Sequence, residues 1–420
     1  MFRNVAQAQE WIENIKRFGS KLDLKRMNRA VEVLDHPERT FKSIHVGGTN
    51  GKGSTSTYLK KILSHAGFKV GIYTSPYVVK FNERIGINDE YISDDDLVKY
   101  ANILYPFTEK MLEEDETVTF FEVLTLMAFL YFRDNQVDYA IIEVGLGGLL
   151  DATNVIVPEI SVITNISYDH MKQLGNTLES IALNKLGIVK DNVPLITAIE
   201  NKNLFPLFSE VTGKHNSRLK IVNFDMVTEV EVKEQTKFKY HANEYVLNLT
   251  GFHQVKNACL AIETIRYLRV LNHIQVTEND IYQGLKNAFW PGRFELFNHN
   301  VVIDGAHNIG GIQALIKSAR AVFEGKYIKC LFSVMRDKEH KKIIEELDNF
   351  CDELYFTEFE YQRRADAEEL FLESSHYHKS FHKDYKEIFF KLKDNLQPNE
   401  VLIVTGSLYF ISEIRKLLVK

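Results

Sequence analysis

Short apolar runs alternate with segments of helical periodicity along most of this chain, and this alternation restricts the fold more than any other feature. The runs FKSIHV (41–46), DYAIIEV (138–144) and SVITNI (161–166) are rich in apolar residues, which is typical of strands buried in a parallel sheet. Helix-period segments separate them, as the crossovers of a parallel sheet require. The sequence therefore predicts an α/β fold with a mainly parallel sheet.

The pattern changes between residues 218 and 250, where apolar and polar residues alternate with a period of two. This alternation predicts antiparallel strands or hairpins. A Pro-Gly break at WPGR (290–293) then precedes a second set of alternating strands and helices. We therefore predict a larger domain at 1–289 that includes the antiparallel section, a linker at about 289–293, and a smaller Rossmann-like α/β domain at 293–420.

The bulk composition excludes several classes of protein. A net charge of −6 and the lack of a long basic run argue against nucleic-acid binding. The three widely spaced cysteines fit neither a disulfide framework nor a zinc site. The first 19 residues suit an amphipathic helix rather than a signal peptide, and the longest apolar run, VLTLMAFLYF (123–132), is too short to span a bilayer. We expect a soluble, cytoplasmic protein that binds neither nucleic acid nor a membrane.

The glycine-rich stretch HVGGTNGKGST (45–55) lies between a predicted buried strand and a helix that begins near Lys52. It departs from the usual phosphate-loop pattern, because Val46 stands where the first glycine belongs and Gly53 follows the lysine. Four glycines, a lysine and two hydroxyl residues at a helix N-terminus nevertheless suit an anion, since backbone N–H groups converge there. A plain glycine turn with a capping serine is the alternative, but we favour a phosphate site and a P-loop-type domain.

Polar side chains follow three of the predicted strands. Glu143 comes at the end of one strand, Asp169 and His170 follow the next, and Ser75 follows the strand KVGIY. Each residue alone could be an ordinary strand-end residue. Because the carboxyl ends of parallel strands meet at one edge, and magnesium prefers oxygen ligands, their convergence predicts a magnesium site beside the phosphate loop.

Three other motifs fail on inspection. The dinucleotide fingerprint is incomplete in GLGGLL, where Leu150 replaces the third glycine. The guanine-reading pattern N-K-x-D is incomplete in NKLG, where Gly187 replaces the acid. A histidine group has loose metal-like spacing without a cysteine or carboxylate in register, and we do not assign it a metal: His376, His378 and His382.

Taken in order, the motifs of this chain resemble those of the folylpolyglutamate synthases, the folate branch of the Mur ligase superfamily. The matching stretches run from residue 45 to residue 413: HVGGTNGKGST, TSPYVVKFNERIG, TFFEVLT, EVGLGGLLDATNV, ITNISYDHMKQLGNTLESIA, GRFE, DGAHN and TGSLYFISE. The shortened G-T-N-G-K loop belongs to that superfamily. The resemblance implies a Mur ligase central-type ATP-binding domain followed by a glutamate-ligase domain.

The resemblance also implies an activity: ATP-dependent addition of L-glutamate to the γ-carboxyl of a reduced folate, through an acyl phosphate. Two alternatives stay open. One is dihydrofolate synthase, which joins dihydropteroate to its first glutamate, either as the sole activity or as a second one. The other is a nucleotide-switch binding protein, which Gly187 in NKLG disfavours.

Particular residues match the family's functional positions. The phosphate-binding positions are Gly51, Lys52, Gly53 and Ser54. The magnesium ligands are Ser75, Glu143 and His170. Further nucleotide contacts are Asn257, Arg293 and Asp304. The pterin-side contacts are Thr119, Phe120, Phe121 and Glu122. Lys185 matches a lysine that the family carries as a carbamate, and with Lys52 and His170 it completes the implied catalytic set, with ATP and Mg²⁺ as cofactors.

The chain departs from the family pattern at two positions. Tyr77 stands where the family has a histidine near the folate, which bears on pterin recognition. Asn184 stands where the family has an acid beside the carbamate lysine. Loss of that negative charge should ease deprotonation of Lys185, so we expect the modification to persist.

Overall fold

A computed structural model describes residues 1–15, 23–114, 116–271 and 274–419. The chain forms two compact units: Met1–Phe224 with Asn257–Leu285, and Asp225–Lys256 with Lys286–Lys420. The last four residues of the predicted N-terminal helix segment lie outside the described residues. Among the described residues, no helix is both long and apolar enough to cross a lipid bilayer.

The first unit is built around one large sheet. Its strands are β1 (Lys42–Gly47), β2 (Val70–Tyr73), β3 (Ile85–Ile87), β4 (Glu90–Tyr91), β5 (Tyr139–Glu143), β6 (Ile160–Ile163), β7 (Leu195–Thr197) and β8 (Leu219–Ile221). Its helices are α1 (Val5–Asn14), α2 (Lys25–Val33), α3 (Lys52–His65), α4 (Asp94–Glu113), α5 (Phe120–Asp134), α6 (Met171–Leu174), α7 (Leu178–Leu186), α8 (Phe205–Lys214), α9 (Phe252–Val270), which runs across the division, and α10 (Glu278–Lys286).

The strand order of this sheet, β4-β3-β2-β5-β1-β6-β7-β8, places β1 at its centre. All strands from β2 to β8 in that order run parallel, and only β3 and β4 are antiparallel. The chain moves from β1 to one side, through β2 and β5, and then crosses to β6 on the other side. The carboxyl end of β1 is therefore a topological switch point, where open α/β sheets bind ligands.

Helices α4 and α5 show why the local sequence folds as it does. The Ser93 hydroxyl accepts a hydrogen bond from Asp96 N–H at the start of α4, and three acids in the first turn suit the positive end of the helix dipole. Thr119 and Glu122 form a capping box at the start of α5. Both helices therefore begin directly after a residue whose side chain caps the first turn, α4 after Ser93 and α5 after Thr119.

The second unit contains two smaller sheets. The strands are β9 (Val227–Val232), β10 (Thr236–Tyr240), β11 (Asn243–Leu247), β12 (Glu295–Phe297), β13 (Val301–Asp304), β14 (Tyr327–Phe332), β15 (Glu353–Thr357), β16 (Lys379–His382) and β17 (Glu400–Thr405). The three-stranded sheet is antiparallel with the order β11-β10-β9, and the six-stranded sheet has the order β12-β13-β17-β14-β15-β16, parallel except for β12. The helices are α11 (Ile309–Val322), α12 (His340–Asp348), α13 (Ala367–Glu373), α14 (Tyr385–Asp394) and α15 (Leu408–Leu418).

The predicted fold class is confirmed: a mainly parallel sheet, an antiparallel section and a second α/β sheet are all present. Two details differ from the prediction. Strand β8 lies in the stretch predicted as antiparallel, yet it pairs parallel with β7, because alternation identifies a strand but not its partner. Residues 225–256 were predicted to lie in a first domain at 1–289, but they belong to the second unit. There β9 to β11 pair with one another and β9 packs against α11. The predicted linker at about 289–293 stays a prediction.

Candidate active site

The loop after β1 adopts a conformation that its glycines make possible. Gly48 has a φ of +135° and Gly51 has a φ of +85°, values that side-chain-bearing residues rarely adopt. Space is also restricted, since a Cβ at Gly48 would lie 1.9 Å from Thr164 Oγ1, and one at Gly51 would lie 2.3 Å from Asn257 Oδ1. The loop therefore needs glycine at both positions for two independent reasons.

Two lysines converge on this loop. Lys52 opens α3, and its amine donates to the carbonyl oxygens of Gly48 and Thr49, each at 3.2 Å. Lys185, in the last turn of α7, donates to the same Gly48 oxygen at 2.8 Å. The structure thus brings together the two lysines that the sequence assigned to phosphate binding and to carbamylation.

The environment of Lys185 changes its protonation. The residue is 5% exposed. Burial, and after it the positive charge of Lys52, lower the pKa of the Lys185 amine from 10.5 to about 7, although Asp169 and Asp151 partly oppose the shift. A large fraction of this amine is therefore neutral near neutral pH, which is the form that reacts with CO₂.

The predicted magnesium ligands follow strands at the same edge of the sheet. Glu143 ends β5, is buried, and pairs in register with Val46 at the end of β1. Ser75 comes just after β2, the neighbour of β5 on its other side. His170 follows β6, and 44% of its side chain is exposed. Its backbone N–H donates to Oδ1 of the neighbouring Asp169 at 2.8 Å.

The predicted nucleotide contacts lie in both units. Asn257, on α9, is buried with its side-chain amide against Gly51 of the phosphate loop. In the second unit, Asp304 ends β13 and accepts the N–H groups of Phe294 and Ala306, each at 2.8 Å. Burial raises the pKa of the Asp304 carboxyl, and the charge of Arg293 opposes this shift, so the two residues lie close together.

The predicted pterin-side residues form the start of α5. Thr119 is its N-cap, and Phe121 packs so closely on Gly145 that a Cβ at Gly145 would lie 2.4 Å from the ring. The Glu122 carboxylate accepts Thr119 N–H at 2.7 Å and also forms a buried ion pair with Arg26 at 2.9 Å. Glu122 is therefore engaged inside the protein, where it caps the start of α5 and pairs with Arg26.

The structure shows what surrounds Tyr77 and Asn184, the two residues that depart from the family pattern. The guanidinium of Arg84 lies 5.1 Å from the ring centroid of Tyr77 and 5.3 Å from that of Phe120, within cation–π range of both. The Asn184 side chain donates to the backbone oxygens of Leu174 and Ser180 and carries no charge toward Lys185.

Sequence reasoning missed one buried group behind the GLGGLL loop. The Asp151 carboxylate accepts N–H groups of Leu146 and Thr153 at 2.8 and 3.1 Å, and the Thr153 hydroxyl at 2.5 Å. That hydroxyl oxygen lies 2.8 Å from Nε2 of His45, whose pKa is lowered to about 3 by burial and then by Lys190. The sequence feature that could have identified this group is the motif DATN directly after the GLGGLL loop.

Sequence reasoning also missed the polar residues that follow β6. The side chains of Thr164 and Asn165 bond to the backbone of Asn50 in the phosphate loop. The signal available in the sequence was the run Thr-Asn-x-Ser directly after a buried strand.

Two families match the chain. The Mur ligase middle domain matches residues 46–265, and the Mur ligase, glutamate ligase domain matches residues 292–408. The chain is 36% identical over 427 residues to the dihydrofolate synthase/folylpolyglutamate synthase of Bacillus subtilis, with 99% of each chain covered.

Solved structures give the same result. A folylpolyglutamate synthase from Thermotoga maritima superimposes with a TM-score of 0.85 at 31% identity, covering 99% of this chain and 97% of that one. The E. coli protein FolC, in complex with DHPP and ADP, superimposes with a TM-score of 0.87 at 26% identity and the same coverage.

Proposed function

The chain belongs to the Mur ligase family, and we propose that it is an ATP-dependent ligase that adds L-glutamate to the γ-carboxyl of a reduced folate. The main observation behind this proposal is that the amines of Lys52 and Lys185 both donate to the Gly48 carbonyl oxygen, at the switch point of the sheet. The full-length similarity to folylpolyglutamate synthases supplies the substrate class.

The chemistry explains why such a ligase needs ATP. A carboxylate is a poor electrophile, because its charged oxygen donates electrons to the carbonyl carbon and is a poor leaving group. Transfer of the γ-phosphoryl group of ATP to a carboxylate oxygen gives an acyl phosphate and ADP. The ammonium of glutamate first loses a proton. The neutral amine then attacks the acyl carbon, the C–O bond to phosphate breaks, and the amide and inorganic phosphate are released, with one amine proton ending on the phosphate.

The phosphate loop would stabilise the charge that develops during phosphoryl transfer. The first N–H groups of α3, beginning with those of Lys52 and Gly53, have no carbonyl four residues earlier within the helix. They are therefore positioned to bind phosphate oxygens, as helix N-termini commonly do. Lys52 would leave its two carbonyl partners and follow the transferring group with its positive charge.

The residues at the sheet edge fit a magnesium ion. Ser75 and Glu143 offer oxygen donors and His170 offers an imidazole, and an oxygen-rich donor set is what magnesium prefers. Bound magnesium would neutralise phosphate charge. An ammonium at Lys185 would repel that cation, whereas a carbamate there would present two anionic oxygens, so the fit is better with Lys185 modified.

On the folate side, Phe120 and Phe121 offer ring surfaces near the glycine loop, and Glu122 with Arg26 keeps them in place. The Arg84 guanidinium against Tyr77 is part of the same aromatic group. We propose that this group receives the pterin ring, with Tyr77 taking the position of the family's histidine.

A second activity, dihydrofolate synthase, is a specific alternative. The B. subtilis relative carries both names, dihydrofolate synthase and folylpolyglutamate synthase. Both reactions use the same acyl-phosphate chemistry and differ in which carboxylate is activated. We also propose that the enzyme is a cytoplasmic monomer. Size-exclusion chromatography with light scattering tests its oligomeric state.

ADP release in the presence of ATP, Mg²⁺, L-glutamate and either tetrahydrofolate or dihydropteroate tests the proposal. We expect ADP release to require both an acceptor and glutamate, and mass spectrometry to show an acceptor extended by one glutamate. Activity with dihydropteroate as well would assign both reactions. Turnover of GTP but not ATP, independent of glutamate, would reject the ligase in favour of a nucleotide switch.

A further inference from the structure

The segment that follows β6, residues 164–167, lies against the phosphate loop. The side-chain amide of Asn165 contacts both backbone polar groups of Asn50: its Oδ1 accepts the Asn50 N–H at 3.0 Å, and its Nδ2 donates to the Asn50 carbonyl at 2.9 Å. This two-point contact resembles the pairing of a residue in a neighbouring strand, and it fixes both peptide groups that flank Asn50.

Neighbouring groups bond the same half of the loop. The Thr164 hydroxyl donates to the Asn50 carbonyl at 2.7 Å, and the backbone N–H of Thr49 donates to the Asn165 carbonyl at 3.0 Å. The Thr49 hydroxyl donates to the Ser167 carbonyl and accepts the Ser167 N–H, both at 3.1 Å. Residues 49 and 50 are therefore bonded to a segment that is remote in sequence.

These bonds divide the loop amides into two groups. The N–H groups of Thr49 and Asn50 donate to Asn165, so an anion would bind the N–H groups at the start of α3 instead. A flexible loop would have to be ordered when the anion binds, at a cost in conformational entropy. Bonds that order the loop beforehand remove that cost from the binding step.

We propose that Asn165 is a positioning residue that keeps residues 48–51 in their anion-binding shape and thereby determines the affinity for the nucleotide phosphates. This inference rests on the proposed function only in identifying the anion as ATP. Both ends of the Asn165 side-chain amide bond to the backbone of Asn50, so the role proposed for it is to hold the loop. The segment then continues to Asp169 and His170, so the same residues also connect the loop with the proposed magnesium ligands.

The test uses Asn165→Ala in the full-length protein, with Mg·ADP binding measured by calorimetry in the absence of folate and glutamate. Two hydrogen bonds of ordinary strength are lost, so we expect Mg·ADP affinity to fall on the order of ten- to a hundredfold. In the ligase assay the KM for ATP should rise by a similar factor, while the KM values for folate and glutamate stay within about twofold. Asn201→Ala is the matched control, since Asn201 follows the adjacent strand β7 and only caps a local turn.

Two further variants keep the inference open to refutation if Asn165→Ala does not fold. Thr164→Val removes only the hydroxyl bond to Asn50, and we expect a loss of about three- to tenfold in Mg·ADP affinity. Asn165→Asp keeps an acceptor for the Asn50 N–H but places a carboxylate oxygen against the Asn50 carbonyl, so it should not restore binding.

The outcomes separate this inference from the proposed function. Wild-type nucleotide affinity in Asn165→Ala or Thr164→Val, with an active wild-type ligase, would overturn the positioning role alone. A lower kcat with unchanged nucleotide affinity would show a general structural role and would also overturn it. Weaker nucleotide binding in these variants, with no ligase activity in the wild type, would support the positioning role and reject the proposed reaction.

Discussion

Carbamylation of Lys185 should depend on pH in a way that follows from its buried environment. With a pKa of about 7, roughly half of the Lys185 amine is neutral at pH 7. For a lysine with a pKa of 10.5 the neutral fraction at the same pH is about one in 3,000. Because CO₂ adds only to the neutral amine, Lys185 should carry carbamate under conditions in which exposed lysines carry almost none.

The pH dependence gives a sharper measurement than the amount of carbamate alone. Carbamate formation at fixed dissolved CO₂ releases one proton from the neutral amine and, below the pKa, a further proton from the ammonium. The ratio of modified to unmodified Lys185 should therefore rise about a hundredfold per pH unit below pH 7 and about tenfold per unit above it, while occupancy is low. An ordinary lysine would keep the steeper slope up to its pKa of 10.5.

The assay is ¹³C NMR of the metal-free protein with ¹³C-labelled CO₂ at fixed dissolved concentration, between about pH 5.5 and 9. Lys185→Ala should remove the carbamate signal, and Lys172→Ala, an exposed lysine near the same edge, should retain it. A single steep slope through pH 9 would refute the reasoning from burial. An unmodified Lys185 in active, metal-loaded enzyme would refute the role of the carbamate itself.

Three further perturbations have expected outcomes. Lys52→Ala should lower turnover on the order of 10²–10³-fold, because one preorganised charge at the transferring phosphoryl group is lost. Lys61→Ala, on the same helix, is the control. An effect of tenfold or less would show that Lys52 does not bind the phosphates. Glu122→Gln removes the nearer carboxylate partner of the buried Arg26 guanidinium, at 2.9 Å, and leaves Asp23 at 3.9 Å. It should lower the free energy of unfolding by about 3–5 kcal/mol in urea denaturation, and a loss below about 1 kcal/mol would mean that the pair is solvated. Gly48→Ala should abolish detectable Mg·ADP binding in calorimetry because of the positive φ and the lack of space, and binding at wild-type affinity would contradict the observed loop conformation.

Local signals predicted much of the fold. The alternation of apolar runs and helix-period segments predicted a mainly parallel α/β sheet, which the structure confirms. The short hairpin strands β3 and β4 were not predicted, since three- and two-residue strands carry too few positions for a period to be seen. The direction of β8 was also missed, because pairing depends on a partner that is remote in sequence.

The candidate site divides along the same line. Glycine positions, strand-end acids and the order of motifs are local properties, so the sequence by itself predicted a phosphate loop, placed Glu143 at a strand end, and showed the resemblance to the folate ligases. The sequence could not show that Glu122 is held by Arg26, or that Asn165 is bonded to Asn50. Each of those contacts joins residues about 100 positions apart and exists only once the sheet has formed.

The protonation of Lys185 was likewise decided by tertiary structure alone. In the sequence it is one of many lysines, in a helix whose exposure the local pattern does not fix. Packing of α7 beside the phosphate loop buries the amine, directs it to the Gly48 carbonyl and brings the charge of Lys52 close. Desolvation and like-charge repulsion act only at such short range, so the folded chain, and not the residue type, brings the pKa of this lysine near neutral pH.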